Sequence, residues 1–467
     1  QRVSLNLPDR RYSDAFYASL GYLLVNMRGP MVTSGPFAHN AMWYRDAAYI
    51  VPALLKANLP GVVPPILDTL AAGQMPSGEF PAALEVDGRP RFHERHEWDA
   101  QGQYLFAVAE SFRLTSDRAR LEAAYPGATR AARFIVELSQ STRTAENLDS
   151  PLYGILPPGD SAEDLGPREW HHYWDDFWAI GGLREAAYLA KVLGKADDEH
   201  YFEHEAEDLT RLVLRSIERV CRDAGVDYIP NGPEDVTSSS MARGTTPAVW
   251  PLRLFSPDDP SILRSFERYY QMWVKPRGNA YIHNSGNLWV YGGLELAHSY
   301  LLLGQAGRAA DMVQWVIDNQ TAPGTYAWAE AVKPETSRFS GGDMPHSWAA
   351  AEYVLYLRDA LVREDGDRLV LADGVPAPWM QAGQQVEIHH APTYFGEAGY
   401  TLVSHADQGY WELTIDEGTG APGGFVLRGP FPNAPKRLVV DGQDVTPSGS
   451  SALALPAGAR VVQVHFR

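Results

Sequence analysis

The sequence predicts a mainly α-helical protein: an (α/α)6 six-hairpin barrel over residues 1–364, then a small antiparallel β-sandwich over residues 365–467. Three observations predict it. Apolar residues recur at helical spacing almost without interruption from residue 12 to residue 362. The texture changes after Asp365 to short alternating runs broken by Gly, Pro and Asp. No repeat of fixed period is present, which sets aside a helical solenoid.

The predicted helices cover 13–28, 41–58, 98–114, 118–138, 174–193, 197–220, 260–273, 286–303, 306–319 and 345–362. Asn58-Leu59-Pro60-Gly61, Thr115-Ser116-Asp117 and Leu303-Gly304 separate them with turn and cap residues. About eleven or twelve helices joined as hairpins close most simply as a double ring. The predicted strands are 368–371, 385–388, 400–403, 410–415, 425–427, 437–440 and 460–464, and Asp441-Gly442 is a strong hairpin turn. A unit of this kind fits a sandwich of about 100 residues packed on the helices, and nothing in it looks catalytic.

The chain has 467 residues, a formal net charge of −18 and 45% hydrophobic residues. That length favours two domains, one large. The charge argues against nucleic acid and anionic membrane surfaces as partners. The single cysteine, Cys221, excludes an internal disulfide and a cysteine zinc cluster. Apolar runs such as Ile50–Leu55 are too short to span a membrane. No signal peptide is visible, so cytoplasmic and secreted locations both stay open, as does the oligomeric state. No phosphate-binding Gly-rich loop and no Gly-x-Ser-x-Gly elbow appears.

Two acidic stations wrapped in tryptophan stand out: Trp174-Asp175-Asp176-Phe177-Trp178 and Tyr326-Ala327-Trp328-Ala329-Glu330. Desolvation among large rings disfavours a charged carboxylate, so such residues invite a chemical role. Aromatic rings also stack on sugar faces. Two carboxylates in aromatic clefts point to acid/base work on a glycosidic bond. Adjacent Asp175 and Asp176 leave a helix in different directions, so one can face a pocket while the other braces the helix start.

Further polar-aromatic clusters sit at helix starts, where the loops of a hairpin ring would converge on one mouth. Met42-Trp43-Tyr44-Arg45-Asp46 offers Arg45 and Asp46 as a pair for sugar hydroxyls, or as a structural ion pair. His93-Glu94-Arg95-His96-Glu97-Trp98-Asp99 lacks the His-Glu-x-x-His zinc spacing and reads as a polar cleft wall, with Trp98 and Asp99 at the mouth. Asn284-Ser285-Gly286-Asn287-Leu288-Trp289 is in part an N-cap. Glu330 lies in a loop that leads to Asp343-Met344-Pro345-His346-Ser347-Trp348 at the start of the last helix.

In order, these clusters resemble the glucoamylase group of six-hairpin glycosidases, with trehalases and processing glucosidases, across most of residues 12–362. Trp43-Tyr44-Arg45-Asp46 resembles the Trp-x-Arg-Asp motif that grips the non-reducing sugar. Trp174-Asp175-Asp176 resembles a Trp-Glu-Glu motif whose first acid is the proton donor; here it is Asp-Asp, and trehalases and processing glucosidases use Asp. The segment ending in Asn287-Leu288-Trp289 resembles Asn-Gly-Asn-Pro-Trp, and Glu330 falls at the place of the family's base. Asp343-Met344-Pro345-His346-Ser347-Trp348 resembles the Asp-Leu-Thr-Trp-Ser-Tyr that follows that base.

The resemblance implies an exo-acting, inverting glycoside hydrolase on an α-linked glucoside or related oligosaccharide, with no cofactor and no metal. Asp175 is then the acid, Asp176 its reserve, and Glu330 the base, with the two carboxyls roughly 6.5–9.5 Å apart. Arg45, Asp46, Trp43, Asp99, Trp174, Asn287, Trp328 and His346 bind substrate, and Trp98, Trp289 and Trp348 form stacking walls. The alternatives are a glycoside phosphorylase or lyase on the same barrel, with an anion site near His346, and a carbohydrate-binding protein without activity.

Overall fold

The computed structural model describes residues 2–91, 96–160, 170–237, 241–276 and 286–467, with the side chains of 241–243 left aside. Twelve α-helices run through the described residues: α1 Arg10–Val25, α2 Tyr44–Lys56, α3 Val63–Ala72, α4 Ala100–Thr115, α5 Arg118–Ser141, α6 Tyr173–Leu193, α7 Ala196–Ala224, α8 Met241–Val249, α9 Pro260–Tyr269, α10 Val290–Leu302, α11 Ala306–Asp318 and α12 Ser347–Leu361. The even-numbered helices pack in a cycle, each against the next, with α12 returning to α2. Each odd-numbered helix packs against an even-numbered neighbour.

This two-layer arrangement explains the helix patterns. A helix of the inner cycle meets protein on nearly every side. All thirteen residues of α2 and all fifteen of α12 are buried, so even their charged residues, such as Arg45, Lys56, Arg358 and Asp359, meet protein and not water. In α7, Phe202, Ala206, Leu209, Val213, Ile217 and Val220 are buried at helical spacing, while the opposite face stays polar. Caps set several boundaries. The Asp259 carboxylate accepts from Ser261 N at 2.8 Å, ahead of Pro260 at the first turn of α9. The α6 helix stops at Gly194, whose φ of 70° closes the last turn.

Two helices went unpredicted. Both α3 and α8 are short and carry proline, and α8 adds Gly and two Thr; low intrinsic propensity masks them. The predicted helices at 41–58 and 286–303 also begin later than expected. Residues Ala41–Trp43 pair as a strand with Ala83–Glu85, and Leu288–Trp289 pair with Ala331–Val332. These small ladders attach site loops to the starts of α2 and α10.

Beyond α12 the chain forms two sheets. One has seven strands, including Gln385–Thr393, Gly396–His405, Tyr410–Ile415, Arg437–Val440 and Val461–His465, and takes Ser4–Asn6 from the N-terminus as an edge strand. The other has four, Val362–Asp365, Arg368–Leu371, Phe425–Arg428 and Ala452–Leu455. Pairing is antiparallel except between Arg368–Leu371 and Phe425–Arg428, which run parallel. Buried Val386, Ile388, Leu402, Leu413, Val462 and Val464 show the period-2 alternation of strands with one core face.

Helices and sheets share polar contacts. Tyr394 Oη donates to Glu110 of α4 at 2.6 Å, and Tyr400 Oη donates to Leu361 O at 2.9 Å. Beneath them lies a buried charge network. Lys56 Nζ and Arg358 both donate to Asp359 at 2.9 Å, and Arg358 also reaches Glu364 at 2.7 Å. Each charge is compensated, the condition for tolerating it out of water. No described helix is long and apolar enough to cross a membrane.

Candidate active site

The starts of five inner helices meet through side-chain contacts, and the polar-aromatic clusters lie there. Adjacent residues in the first turn of α2 serve two halves of one site. Arg45 turns toward α4 and α6, while Asp46 turns toward α12.

In the first half, Asp99 at the start of α4 is a hub. Its Oδ2 accepts from Arg45 Nε, Gln103 Nε2 and Trp174 Nε1, each at 2.8 Å. Arg45 also donates to Glu97 at 2.5 Å. Arg45 therefore pairs with Asp99 and Glu97, across to α4.

Asp175 lies one residue beyond Trp174 and is 2% exposed. Its Oδ1 has no hydrogen-bond partner among the described residues. Burial raises its pKa well above the carboxylate range, and the nearby Asp99 and Asp176 raise it further against the pull of Arg45. Asp176 faces the other way: its Oδ1 accepts from Leu156 N at 2.8 Å and anchors the loop before α6. Burial pushes Asp176 up to about 8 against that hydrogen bond. Burial also lifts Glu97 to about 7, with the Arg45 charge opposing. Sequence reading placed Glu97 only in a cleft wall; the hydrogen bond with Arg45 is a tertiary fact that spacing does not carry.

In the second half, Glu330 behaves oppositely. Burial alone would raise its pKa, but the charge of His346, the His39 hydrogen bond and the Asp343 backbone amide outweigh it and hold the carboxyl below the usual value. His39 Nδ1 lies 2.9 Å from Glu330 Oε2, and Asp343 N donates to the same oxygen at 3.0 Å. His346 Nε2 is 3.5 Å away.

Asp343 locks this arrangement. Its carboxylate accepts from Phe37 N at 2.7 Å and from His39 N at 2.6 Å, and its carbonyl accepts from Glu330 N at 2.8 Å. Glu330 O accepts from Val290 N at the start of α10. Gly342, at φ 71°, lets the chain pass so close that a Cβ there would overlap the Glu330 carboxylate. Sequence reading missed His39 and gave Asp343 no role of its own. Asp46 is buried, which raises its pKa against the nearby His346 charge, and its Oδ1 lies 3.9 Å from His346 Nε2.

The aromatic residues divide by exposure. Trp43 and Trp289 are half-buried; Trp43 meets His39 edge-on, and Trp289 packs by Tyr291. Asn287 is also half-buried, next to Trp289. Trp348 lies in the core between Tyr49 and Tyr291, with ring centroids 4.8 and 4.5 Å away. Trp328 is buried and donates to Ser19 Oγ at 2.9 Å. Trp98 stacks on His96 and donates to Pro158 O at 3.2 Å. Of the three expected stacking walls, Trp289 thus keeps part of its ring exposed, whereas Trp98 and Trp348 support the site from within. His93, Glu94, Arg95, Asn284 and Ser285 lie outside the described residues.

No family model matches the sequence, and no curated protein matches it. Solved structures do. An α-L-rhamnosidase from Dictyoglumus thermophilum superimposes over 100% of this chain with a TM-score of 0.67 at 11% identity. The chain spans half the length of that enzyme, 50%. A bacterial glucoamylase solved with acarbose covers 76% of the chain, with a TM-score of 0.56 and 16% identity, over 56% of its own length. A structure described as a wild-type glycosidase covers 75% of this chain and is itself covered over 98%, with a TM-score of 0.56 and 16% identity. The fold is glycosidase-like. The rhamnosidase match takes in the whole chain, helical body and C-terminal sheets together, whereas the other two cover about three quarters of it.

Proposed function

We infer that this chain is an inverting, exo-acting glycoside hydrolase built on a six-hairpin barrel with a C-terminal β-domain, in which Asp175 is the general acid and Glu330 the general base. The observation that carries this reading is the opposed setting of two buried carboxyls at one end of the helical cycle. Burial beside other acids raises the Asp175 pKa well above its ordinary value, the direction that a proton donor to a leaving oxygen needs. Glu330 is held ionised by His39, His346 and a backbone amide, as a group that takes a proton from water needs.

In this account the terminal sugar sits between the two halves. Trp289 and Trp43 offer partly exposed rings, and Arg45, fixed by Asp99 and Glu97, holds the floor. Asp175 protonates the glycosidic oxygen as the bond breaks. Glu330 removes a proton from a water on the opposite face, and that water attacks the anomeric carbon. No cofactor is part of this reading. Glu330→Gln keeps the size of the side chain and removes its basicity. It is expected to lower kcat by at least about 100-fold with folding intact; an unchanged rate removes Glu330 from the mechanism.

The sugar remains a choice between two classes. The family resemblance favours an α-linked glucoside. The extent of the rhamnosidase alignment, which runs through the C-terminal sheets where the glucoamylase alignment covers about three quarters of the chain, favours an α-L-rhamnoside. Turnover of the 4-nitrophenyl α-D-glucoside against the α-L-rhamnoside separates them.

A further inference from the structure

His39, Glu330 and His346 each direct one ligand atom into a common space, all within 4.8 Å of one another. Two imidazoles and a carboxylate on three separate chain segments form an unusual set for a sugar site. His39 Nδ1 is 2.9 Å and His346 Nε2 3.5 Å from Glu330 Oε2. Tetrahedral zinc with ligands at about 2.0–2.1 Å spaces its donors about 3.3 Å apart, between those two values. A further buried acid lies on the His346 side of this set. Asp46 is buried, its Oδ1 lacks a hydrogen-bond partner among the described residues, and that atom lies 3.9 Å from His346 Nε2.

We propose that His39, Glu330 and His346 bind a borderline divalent cation of the zinc type, with the fourth position left to water, and that the bound ion inhibits hydrolysis by occupying the Glu330 oxygen. Mixed imidazole and carboxylate donors suit Zn²⁺, Ni²⁺ or Cu²⁺ better than Mg²⁺ or Ca²⁺. The site is preorganised. Asp343 ties the His39 loop and the Glu330 loop together. The His39 side chain is 38% exposed, which gives an ion a way in.

Binding has a cost. His346 Nδ1 accepts from Ala349 N at 3.4 Å. An ion on Nε2 requires the neutral ring to carry its proton on Nδ1, which gives up that long hydrogen bond. No bond to substrate forms or breaks in this step: the ion takes the oxygen lone pair that would otherwise receive a proton from water.

The binding half rests on geometry alone, and the inhibitory half rests on the function proposed above; two measurements separate them. Metal-free protein is dialysed to equilibrium against ZnCl₂, and bound zinc is counted. One saturable Zn²⁺ per chain is expected, with affinity at least about tenfold weaker in His39→Ala and in Glu330→Gln, and with His39→Gln as a second variant should the alanine protein misfold. Absence of saturable binding, or equal affinity in wild type and folded His39 variants, overturns the site. Hydrolysis of the active aryl glycoside is then followed against Zn²⁺ and Mg²⁺. Loss of rate at the Zn²⁺ concentration that fills the site, with none for Mg²⁺, supports the inhibitory role; full rate at zinc saturation overturns it. Zinc binding as expected in a protein that hydrolyses no glycoside leaves the site standing and refutes the glycosidase reading instead.

Discussion

Replacing Asp176 with Asn separates the two neighbouring aspartates at the start of α6. The wild-type carboxyl is 1% exposed, with Oδ1 on the Leu156 amide and Oδ2 without a partner among the described residues. Asn has nearly the same shape and keeps the acceptor for Leu156 N. What it removes is ionisation. Burial raises the folded-state pKa of Asp176 from an ordinary 3.8 to about 8. Between those values the folded protein holds a proton that the unfolded chain has released, so stability falls as pH rises toward 8. Each unit in that window costs about 1.4 kcal/mol.

The Asn variant carries no such cost. The difference in unfolding free energy between variant and wild type is therefore expected to be small near pH 4. It should grow by about 1.4 kcal/mol per unit, reaching about 3 kcal/mol more at pH 7 than at pH 5. Denaturant unfolding of both proteins at pH 5, 6, 7 and 8 reads it directly, because the other titrating groups cancel in the difference. Hydrolysis should persist within about tenfold of wild type, since the loop anchor survives. A flat difference across pH refutes the buried, protonated carboxyl. Loss of more than about 100-fold in kcat makes Asp176, and not Asp175, the proton donor.

Gly342→Ala forces a Cβ into the Glu330 carboxylate at a left-handed position. It should cost about 1–2 kcal/mol of stability and, by moving the base, about 100-fold in kcat, read by unfolding and steady-state kinetics. Asp99→Asn keeps the volume of the hub but removes the charge on which three donors converge; kcat should fall about 100-fold, with a stability loss of about 1–3 kcal/mol in denaturant unfolding. Asp359→Ala leaves Lys56 buried without its nearest partner and should destabilise by about 3–5 kcal/mol in denaturant unfolding, with kinetics preserved in the fraction that stays folded.

The helices of the body and most strands of the C-terminal sheets were legible because each carries its own period. Outer helices such as α7 show a buried stripe, Tyr410–Ile415 alternates, and Arg368–Leu371 is a short apolar run next to a turn. The short α3 and α8 were hidden by proline and weak helix formers, and Ser4–Asn6 by its remote partner, Gln385–Thr393. The polar-aromatic clusters read at helix starts come together in the structure, because the first turns of the inner helices converge there.

Direction was harder to read. That Arg45 and Asp46 serve different halves follows from a 100° step around α2 and from which helix lies on each side. That Asp175 turns inward while Asp176 holds Leu156 needs the loop before α6. His39 carries no local signal at all: it reaches Glu330 only because Asp343 ties two loops separated by some three hundred residues.

The stereochemistry of the first product tests the central claim most directly. An aryl glycoside turned over under the proposed function is hydrolysed in an NMR tube, and the anomeric proton of the released sugar is followed before mutarotation. If Asp175 and Glu330 act as acid and base across one bond, the first sugar released carries the anomeric configuration opposite to that of the substrate. Release of the retained anomer, by wild-type protein and not by Glu330→Gln, would make Glu330 a nucleophile and contradict the account.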